Sequence, residues 1–482
     1  MKFRKFGKAL LMSALSVGII FGVSSCIESY TVGYLYVTGT ETAQSGNNGV
    51  ISGFKIDHNT GQLYTINGLP VSSGGSNPVR AVLTLGSRFI YVLNRGVNAE
   101  GTGDCTTADP CQNANITEFA VGGNGILTPE QTFFSQGLNP FRLLVDPTGT
   151  WLFVLDHDSI GADGVNPAST SNPNASCGDA LGGGLTVCGD ITVFQINQTT
   201  GWLSTVLNEQ VTQANCPGGV ASCPLAYFPI PSNPIDFVLA SGFMLTMSGI
   251  PATGDSILPY SYSSSNGQLL LSQNSSQPLS DPYSSSTSGP SAGLVTQATA
   301  LVGAGSVYYV LDNEPISIVF NCPSGQTCSP TTSPSQIVPY TLGTNGALQA
   351  DTSGILPDAP CLANPTWLMV NSKNEYIYVA NAGNNVTGNN CPNSGIAAYY
   401  ITTTPAYQLS FVSDEPFLSG SGPQCIVEDP SNQYVYTANY YDSTVTGRVL
   451  DPNSGELDDM RVNSTYTLRG PATWCLVDGR TG

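Results

Sequence analysis

Histidine is almost missing from this chain, with two in 482 residues, and basic residues as a class are scarce: Lys and Arg number 14 against 33 Asp and Glu, a formal net charge of −19. Nucleic acid is thereby excluded as a ligand class, because binding it relies on Lys and Arg to neutralise phosphates. Cys/His zinc sites are disfavoured by the same shortage, and none of the 13 cysteines stands in a CxxC pair. A membrane-spanning helix is also disfavoured: the apolar run Ala9 to Val23 has about 15 residues, short of the ~20 that a bilayer requires. What is plentiful is Gly (53) and Pro (33), with much Ser, Thr and Asn, while charged residues make up only 10%. That composition predicts a loop-rich β protein with a polar, weakly charged surface.

The first 25 residues read as a leader. Lys2, Arg4, Lys5 and Lys8 precede the apolar run, and Val23-Ser24-Ser25 places small residues before Cys26. The pattern predicts a lipoprotein signal over residues 1–25, acylation of Cys26 and a short tether over 26–33; an ordinary secretory signal with a bystander cysteine is the alternative. Removing those four basic residues takes the net charge from −19 to −23. Export suits the cysteines, since 12 remain once Cys26 is set aside. Proximity in sequence pairs Cys105 with Cys111, Cys177 with Cys188, Cys216 with Cys223 and Cys322 with Cys328. The remaining four are paired most simply as Cys361 with Cys391 and Cys425 with Cys475, although spacing alone does not fix connectivity.

From residue 34 to 480 one unit repeats. Asn77-Pro78-Val79-Arg80 opens an apolar run, Gly86-Ser87 turns it, and Phe89-Ile90-Tyr91-Val92-Leu93 returns: a β-hairpin. Copies begin at Asn139-Pro140, Asn233-Pro234, Asn364-Pro365 and Gly422-Pro423, with a weaker one from Gln297. Tyr34 to Gly39 is half a copy and Pro471 to Val477 the missing half, so Tyr-Val-type strands number seven. Each hairpin is followed by a second strand pair, as in Val50 to Asp57, the turn Asn59-Thr60-Gly61, then Leu63-Tyr64-Thr65. Four strands repeated seven times predict an all-β, seven-bladed propeller of antiparallel blades, closed by the N-terminal strand docking into the C-terminal blade. Such closure removes an open edge. The Gly-, Asn- and Cys-rich stretches 97–114, 158–188 and 212–226, and the Ser-rich 272–292, read as surface insertions.

Units of the form N-P-x-x-x-x-x-x-D-P-x-G-x-x-x-Y-V-x-N, followed by V-x-x-F-x-I-(D)-x-x-T-G-x-L, resemble the lactonase-like seven-bladed propellers, also called YVTN repeats, whose enzymatic members include 6-phosphogluconolactonase. The resemblance covers roughly residues 31 to 480. It implies a site at the central channel, where His and Arg of P-R-H or P-H stretches, with an acidic partner, open a lactone. Such a reaction needs a base for water and a cation for the oxyanion. Two residues past the repeated proline this chain reads Arg80, Arg142, Asp236, Trp367 and Cys425, with Trp474 in register after a one-residue insertion and Gln297 in the fourth blade. No histidine occupies any of them.

His58 sits in a turn, whereas His157, between Asp156 and Asp158, follows a strand toward the channel mouth. The catalytic candidates are therefore His157 as base with Arg80 or Arg142 as oxyanion partner, and the ligand-binding candidates are Asp236, Gln297, Trp367 and Trp474. No metal site or cofactor is expected. Calcium on Asp156, Asp158 and Asp163 would lack the D-x-D-x-D-G spacing of the regular loop. Two functions stay open: a monomeric, lipid-anchored module of the cell envelope binding a small molecule, glycan or envelope protein, and an extracytoplasmic lactonase.

Overall fold

The computed structural model describes residues 30–479 apart from 42–47, 87, 161–186, 215–220, 250–253, 272–276, 282–291, 319–330, 334, 352–355, 358–361, 384–393, 404–405 and 414–415. Among the described residues every regular element is a strand. The leader and Cys26 lie outside them.

The backbone explains the repeated N-P. Asn77, Asn139, Asn233 and Asn364 hold φ between 51° and 59°, the left-handed region that Asn tolerates better than most residues, and in the sixth copy Gly422 takes the same place at φ 72°. The D-P-x-G turn is likewise a hydrogen-bonding device. Asp146 Oδ1 accepts from the amides of Thr150 (2.7 Å) and Trp151 (2.8 Å), and Asp429 Oδ1 from those of Gln433 (2.8 Å) and Tyr434 (2.7 Å). Asn371 does the same for Glu375 and Tyr376.

Seven such hairpins grow into seven sheets, each built on a path of four antiparallel strands. Numbering blades by their inner strand, blade 1 starts at Pro78–Leu83, blade 2 at Gly137–Val145, blade 3 at Pro234–Ala240, blade 4 at Ala298–Ala304, blade 5 at Pro365–Val370, blade 6 at Pro423–Glu428 and blade 7 at Ala472–Asp478. Thr31–Thr40 is the second strand of blade 7 and pairs with its first, Leu35 opposite Val477 and Val37 opposite Cys475. The ring is closed as the repeat arithmetic predicts. A feature the repeat did not announce is a fifth strand in five sheets, such as Val71–Ser76 added to Asn48–Asp57.

Because successive strand residues point to opposite faces, the Tyr-Val strand buries one set against each neighbouring blade. Ile90 and Val92 pack on blade 7, while Tyr91 and Leu93 pack on blade 2. Tyrosine adds a polar tie. Tyr36 OH donates to Gly125 O (2.8 Å), Tyr378 OH to Gly455 O (2.8 Å) and Tyr436 OH to Gly61 O (2.6 Å), and Tyr91 OH donates to Gly201 O. In these four blades the tyrosine of the second strand thus fastens on a glycine turn of the next blade.

Two expected disulfides are present: Cys105–Cys111, with Cα atoms 5.2 Å apart, and Cys425–Cys475, with Cα atoms 5.9 Å apart, which staples the inner strands of blades 6 and 7. Cys188 and Cys223 are also disulfide-bonded. Their expected partners Cys177 and Cys216 lie outside the described residues, as do Cys322, Cys328, Cys361 and Cys391.

Candidate functional site

The inner strands converge on a cavity of about 280 Å³ at the ring axis. Its wall alternates between two register positions. The residue just after the proline supplies Val79, Thr366 and Gln424, with Thr299 and Thr473 in the matching places of blades 4 and 7, while Arg80, Arg142 and Trp474 reach in from one position later. The threonines also link strands around the axis. Thr299 Oγ1 donates to Pro365 O at 2.6 Å and Thr366 Oγ1 to Pro423 O at 2.8 Å.

Arg80 is the centre of the arrangement. It is 5% exposed, and its guanidinium carbon lies 3.5 Å from the Trp474 ring centre and 4.7 Å from that of Trp367. The two indoles meet edge to face at 4.8 Å, and Trp474 Nε1 is fixed by Ala81 O at 3.1 Å. The aromatic faces hold the cation by its quadrupole attraction. Burial first, and the Arg142 charge second, press the Arg80 pKa well down, with Asp236 opposing. Arginine titrates so far above neutrality that the group remains a cation. Among the described residues its N–H groups make no hydrogen bond: the contacts of Arg80 are the two indoles. A buried cation with idle donors leaves the cavity short of negative charge.

Arg142 has an ionic partner, although its buried Nε makes no hydrogen bond. Its Nε lies 3.4 Å from Asp236 Oδ1, and Nη1 donates weakly to Phe141 O at 3.4 Å. Asp236 is almost fully buried, and its oxygens already accept from the amides of Phe237 (2.9 Å) and Leu301 (3.0 Å). Its carboxylate is therefore a fixed counter-charge. A third cation, Arg95, stands close enough for the Arg142 charge to press its pKa further down, after burial, with Asp104 and Asp158 opposing.

The predicted candidates divide accordingly. Arg80, Arg142, Asp236, Trp367 and Trp474 come together at the axis. Trp474 needs no insertion, for Ala472 takes the proline place opposite Gly39, just as Pro78 stands opposite Asn94. Gln297 does not belong to the ring of positions: the blade 4 residue in register with Arg80 is Ala300, and Gln297 is exposed just before the strand. Cys425 is occupied by its disulfide. His157 is no part of the cavity wall; its Nδ1 lies 3.2 Å from Asp158 Oδ2, and its ring lies 6.3 Å from that of Phe141. Burial would raise the Asp158 pKa, but hydrogen bonds and charge from His157, with Asn139 and Thr107, bring it below the usual range. His58 stacks on Tyr30 at 4.4 Å.

Sequence reasoning missed Gln424, Asn364 and Tyr440, which also face the cavity. Strand alternation was the signal for Gln424; Tyr440 lies beyond the second strand, where no pattern points.

Residues 329–473 match the family model described as lactonase, 7-bladed beta-propeller. Solved structures similar to the chain include the periplasmic gluconolactonase of Pseudomonas aeruginosa, at 14% identity and TM-score 0.55, over 92% of this chain and 99% of that one. A candidate 6-phosphogluconolactonase of Bacteroides fragilis is similar at 13% and 0.54, covering 92% and 98%. A protein of Lactobacillus plantarum is similar at 14% and 0.56, covering 92% and 99%. No curated protein sequence matches. At these identities the shared property is the fold, and the expected resemblance to lactonase-like propellers holds.

Proposed function

We propose that this lactonase-like propeller is an exported, lipid-anchored module that binds an anionic small molecule, of the sugar-acid or acidic-glycan class, at the mouth of its axial channel. The observation that carries the reading is Arg80, a buried cation stacked on two indoles, which lines the cavity and makes no hydrogen bond to a described residue. A carboxylate placed there gains charge-assisted hydrogen bonds that the protein itself leaves unmade. Asn364, Gln424 and Tyr440 supply neutral partners for hydroxyl groups. The export part rests on the leader, on Cys26 and on the disulfides, which suit an oxidising compartment.

A non-catalytic role is favoured because, among the described residues, the wall holds no histidine or carboxylate to activate water. The second reading, an extracytoplasmic lactonase, is supported by the match to the family model and by the gluconolactonase among similar structures. It would need His157 to swing toward Arg142. Titration calorimetry with gluconate, alongside assays on a panel of lactones with Arg142→Ala and His157→Ala, separates the two. The expected result is gluconate binding weakened at least tenfold in Arg142→Ala, with no lactone turnover. Turnover that falls in both variants would replace the binding reading with the enzymatic one.

A further inference from the structure

The second strand of blade 7, Thr31–Thr40, runs through the depth of the ring. Near its start Tyr34 stands opposite Asp478, where the first strand ends, and near its own end Gly39 stands opposite Ala472, where the first strand begins. Thr40 then donates its amide to Pro471 O at 3.1 Å, beside Thr473 of the cavity wall. The strand therefore rises from the face that carries the Asp-Pro-x-Gly and Thr-Gly turns to the face on which the cavity opens. Its 10 residues, at about 3.3 Å each, set the two faces ~30 Å apart. Tyr30, just before the strand, belongs to the turn face. Its carbonyl accepts from the His58 amide at 3.0 Å and its ring stacks on that of His58, in the Thr-Gly turn of blade 7.

Exposed apolar side chains surround this exit. Tyr30 and Tyr64 in blade 7, Leu85 and Ile126 in the two turns of blade 1, and Trp202 beside the Thr-Gly turn of blade 2 are all exposed, on three consecutive blades. Arg88 ties two of these turns together, donating from blade 1 to Gln198 O (3.2 Å) and Thr199 O (3.4 Å) in blade 2. Leu85 is 66% exposed and Trp202 55%, so neither fills a core. Trp and Tyr join an apolar body to a polar edge, the combination favoured where a bilayer meets water.

We propose that the turn face of blades 7, 1 and 2 is seated on the bilayer that holds the Cys26 lipid, and that the cavity opens on the side away from it. The inference rests on the lipid-anchor reading above. From Cys26 to Tyr30 the chain takes four steps, a reach of at most ~14 Å when fully extended. That is about half the depth of the ring. Such a tether cannot carry the cavity mouth round to the membrane, whereas it draws the turn face, with its exposed Tyr30, Tyr64, Leu85, Ile126 and Trp202, into the interface. The consequence concerns the ligand. Whatever reaches Arg80 comes from the solvent beyond the protein, and the headgroups of the anchoring leaflet are excluded as its source.

The test reads the tryptophan fluorescence of the acylated protein in phosphatidylcholine vesicles, with and without a lipid spin-labelled at its headgroup. Of the four tryptophans Trp202 alone is exposed. The labelled lipid should quench the emission, and Trp202→Phe, which touches no part of the cavity, should lose most of that quenching. An acylated chain that shows no quenching would overturn the inference. So would quenching that stays whole in Trp202→Phe, because it would set the Trp367 and Trp474 side of the ring against the lipid. A stable dimer of Cys26→Ser that shields Trp202 from iodide would assign the face to a second copy and overturn it as well. An intact mass without acyl groups on Cys26 would overturn the anchor reading itself, and the inference with it.

Discussion

Blades 1 and 4 carry the same hairpin and end its second strand at the same register, one with Asn94 and the other with Asp312, both fully buried. Asn94 is at home. Its Nδ2 donates to Ser73 O at 3.0 Å and to Asn115 Oδ1 at 2.9 Å, and its Oδ1 accepts from Ser73 Oγ at 2.5 Å. Asp312 has no second donor of its own and must accept everywhere: from the amides of Gln297 and Glu314 and from Gln336. The difference is one NH₂ exchanged for an oxygen, and it turns a group that both donates and accepts into one that only accepts. Blade 2 is a third case. Asp156 faces Asp190 across the strands, both fully buried; burial raises Asp156 to about 8, with hydrogen bonds from Ser135, Asp190 and Thr192 opposing and the Asp158 charge adding, and burial and then the Asp156 charge raise Asp190 well above its usual range. That pair resolves its excess charge by keeping a proton.

The sharpest way to break the comparison is to exchange the residues. Asn94→Asp would remove two donors and bury a charge with no cation near it, so a loss of about 3–5 kcal/mol is expected in urea unfolding. A cost under about 1 kcal/mol would show that blade 1 accommodates charge as blade 4 does. Next in size is a pH effect in blades 1 and 2. Burial also lifts Glu118 to about 7. Carboxyls with raised folded pKa values bind protons more tightly folded than unfolded, so the stability they allow is complete below the unfolded pKa near 4 and is lost as pH rises through about 7 to 8. The urea midpoint should therefore fall between about pH 5 and pH 8.5, and Asp156→Asn should flatten that fall without removing the part due to Glu118. A midpoint that rises over this range would contradict the buried-acid assignment.

Smaller effects test the parts the blades share. Tyr378→Phe deletes the hydroxyl that reaches Gly455 and leaves that carbonyl short of a donor, at an expected cost of about 1 kcal/mol. Smallest should be Gly422→Asn, which gives blade 6 the left-handed Asn of blades 1, 2, 3 and 5. Its Cβ would meet the ring of Tyr441 at 2.3 Å, but that side chain is 55% exposed and free to turn. Stability should change by less than about 1 kcal/mol.

The ring was legible because its causes are local and repeated. Asn-Pro fixes a left-handed turn, Asp-Pro-x-Gly an amide-accepting one, and Tyr-Val a strand buried on both faces; seven copies leave little choice of architecture. The half-copy from Tyr34 to Gly39 was readable as the partner of the C-terminus for the same reason. The cavity was only half legible. Proline marks the register, so Arg80, Arg142 and Asp236 could be found, but in blade 4 no proline marks it and Gln297 was read three residues too early. The stacking of Arg80 between Trp367 and Trp474 joins blades 1, 5 and 7, a tertiary fact with no trace in spacing.

The most direct test of the central claim, that the axial cavity awaits an anion at Arg80, is a crystal structure of the purified protein soaked in bromide and measured at the bromine absorption edge. The account predicts an anomalous peak within hydrogen-bonding reach of the Arg80 guanidinium, lost in Arg80→Met. A cavity in which bromide gathers elsewhere, with no peak beside Arg80, would contradict it.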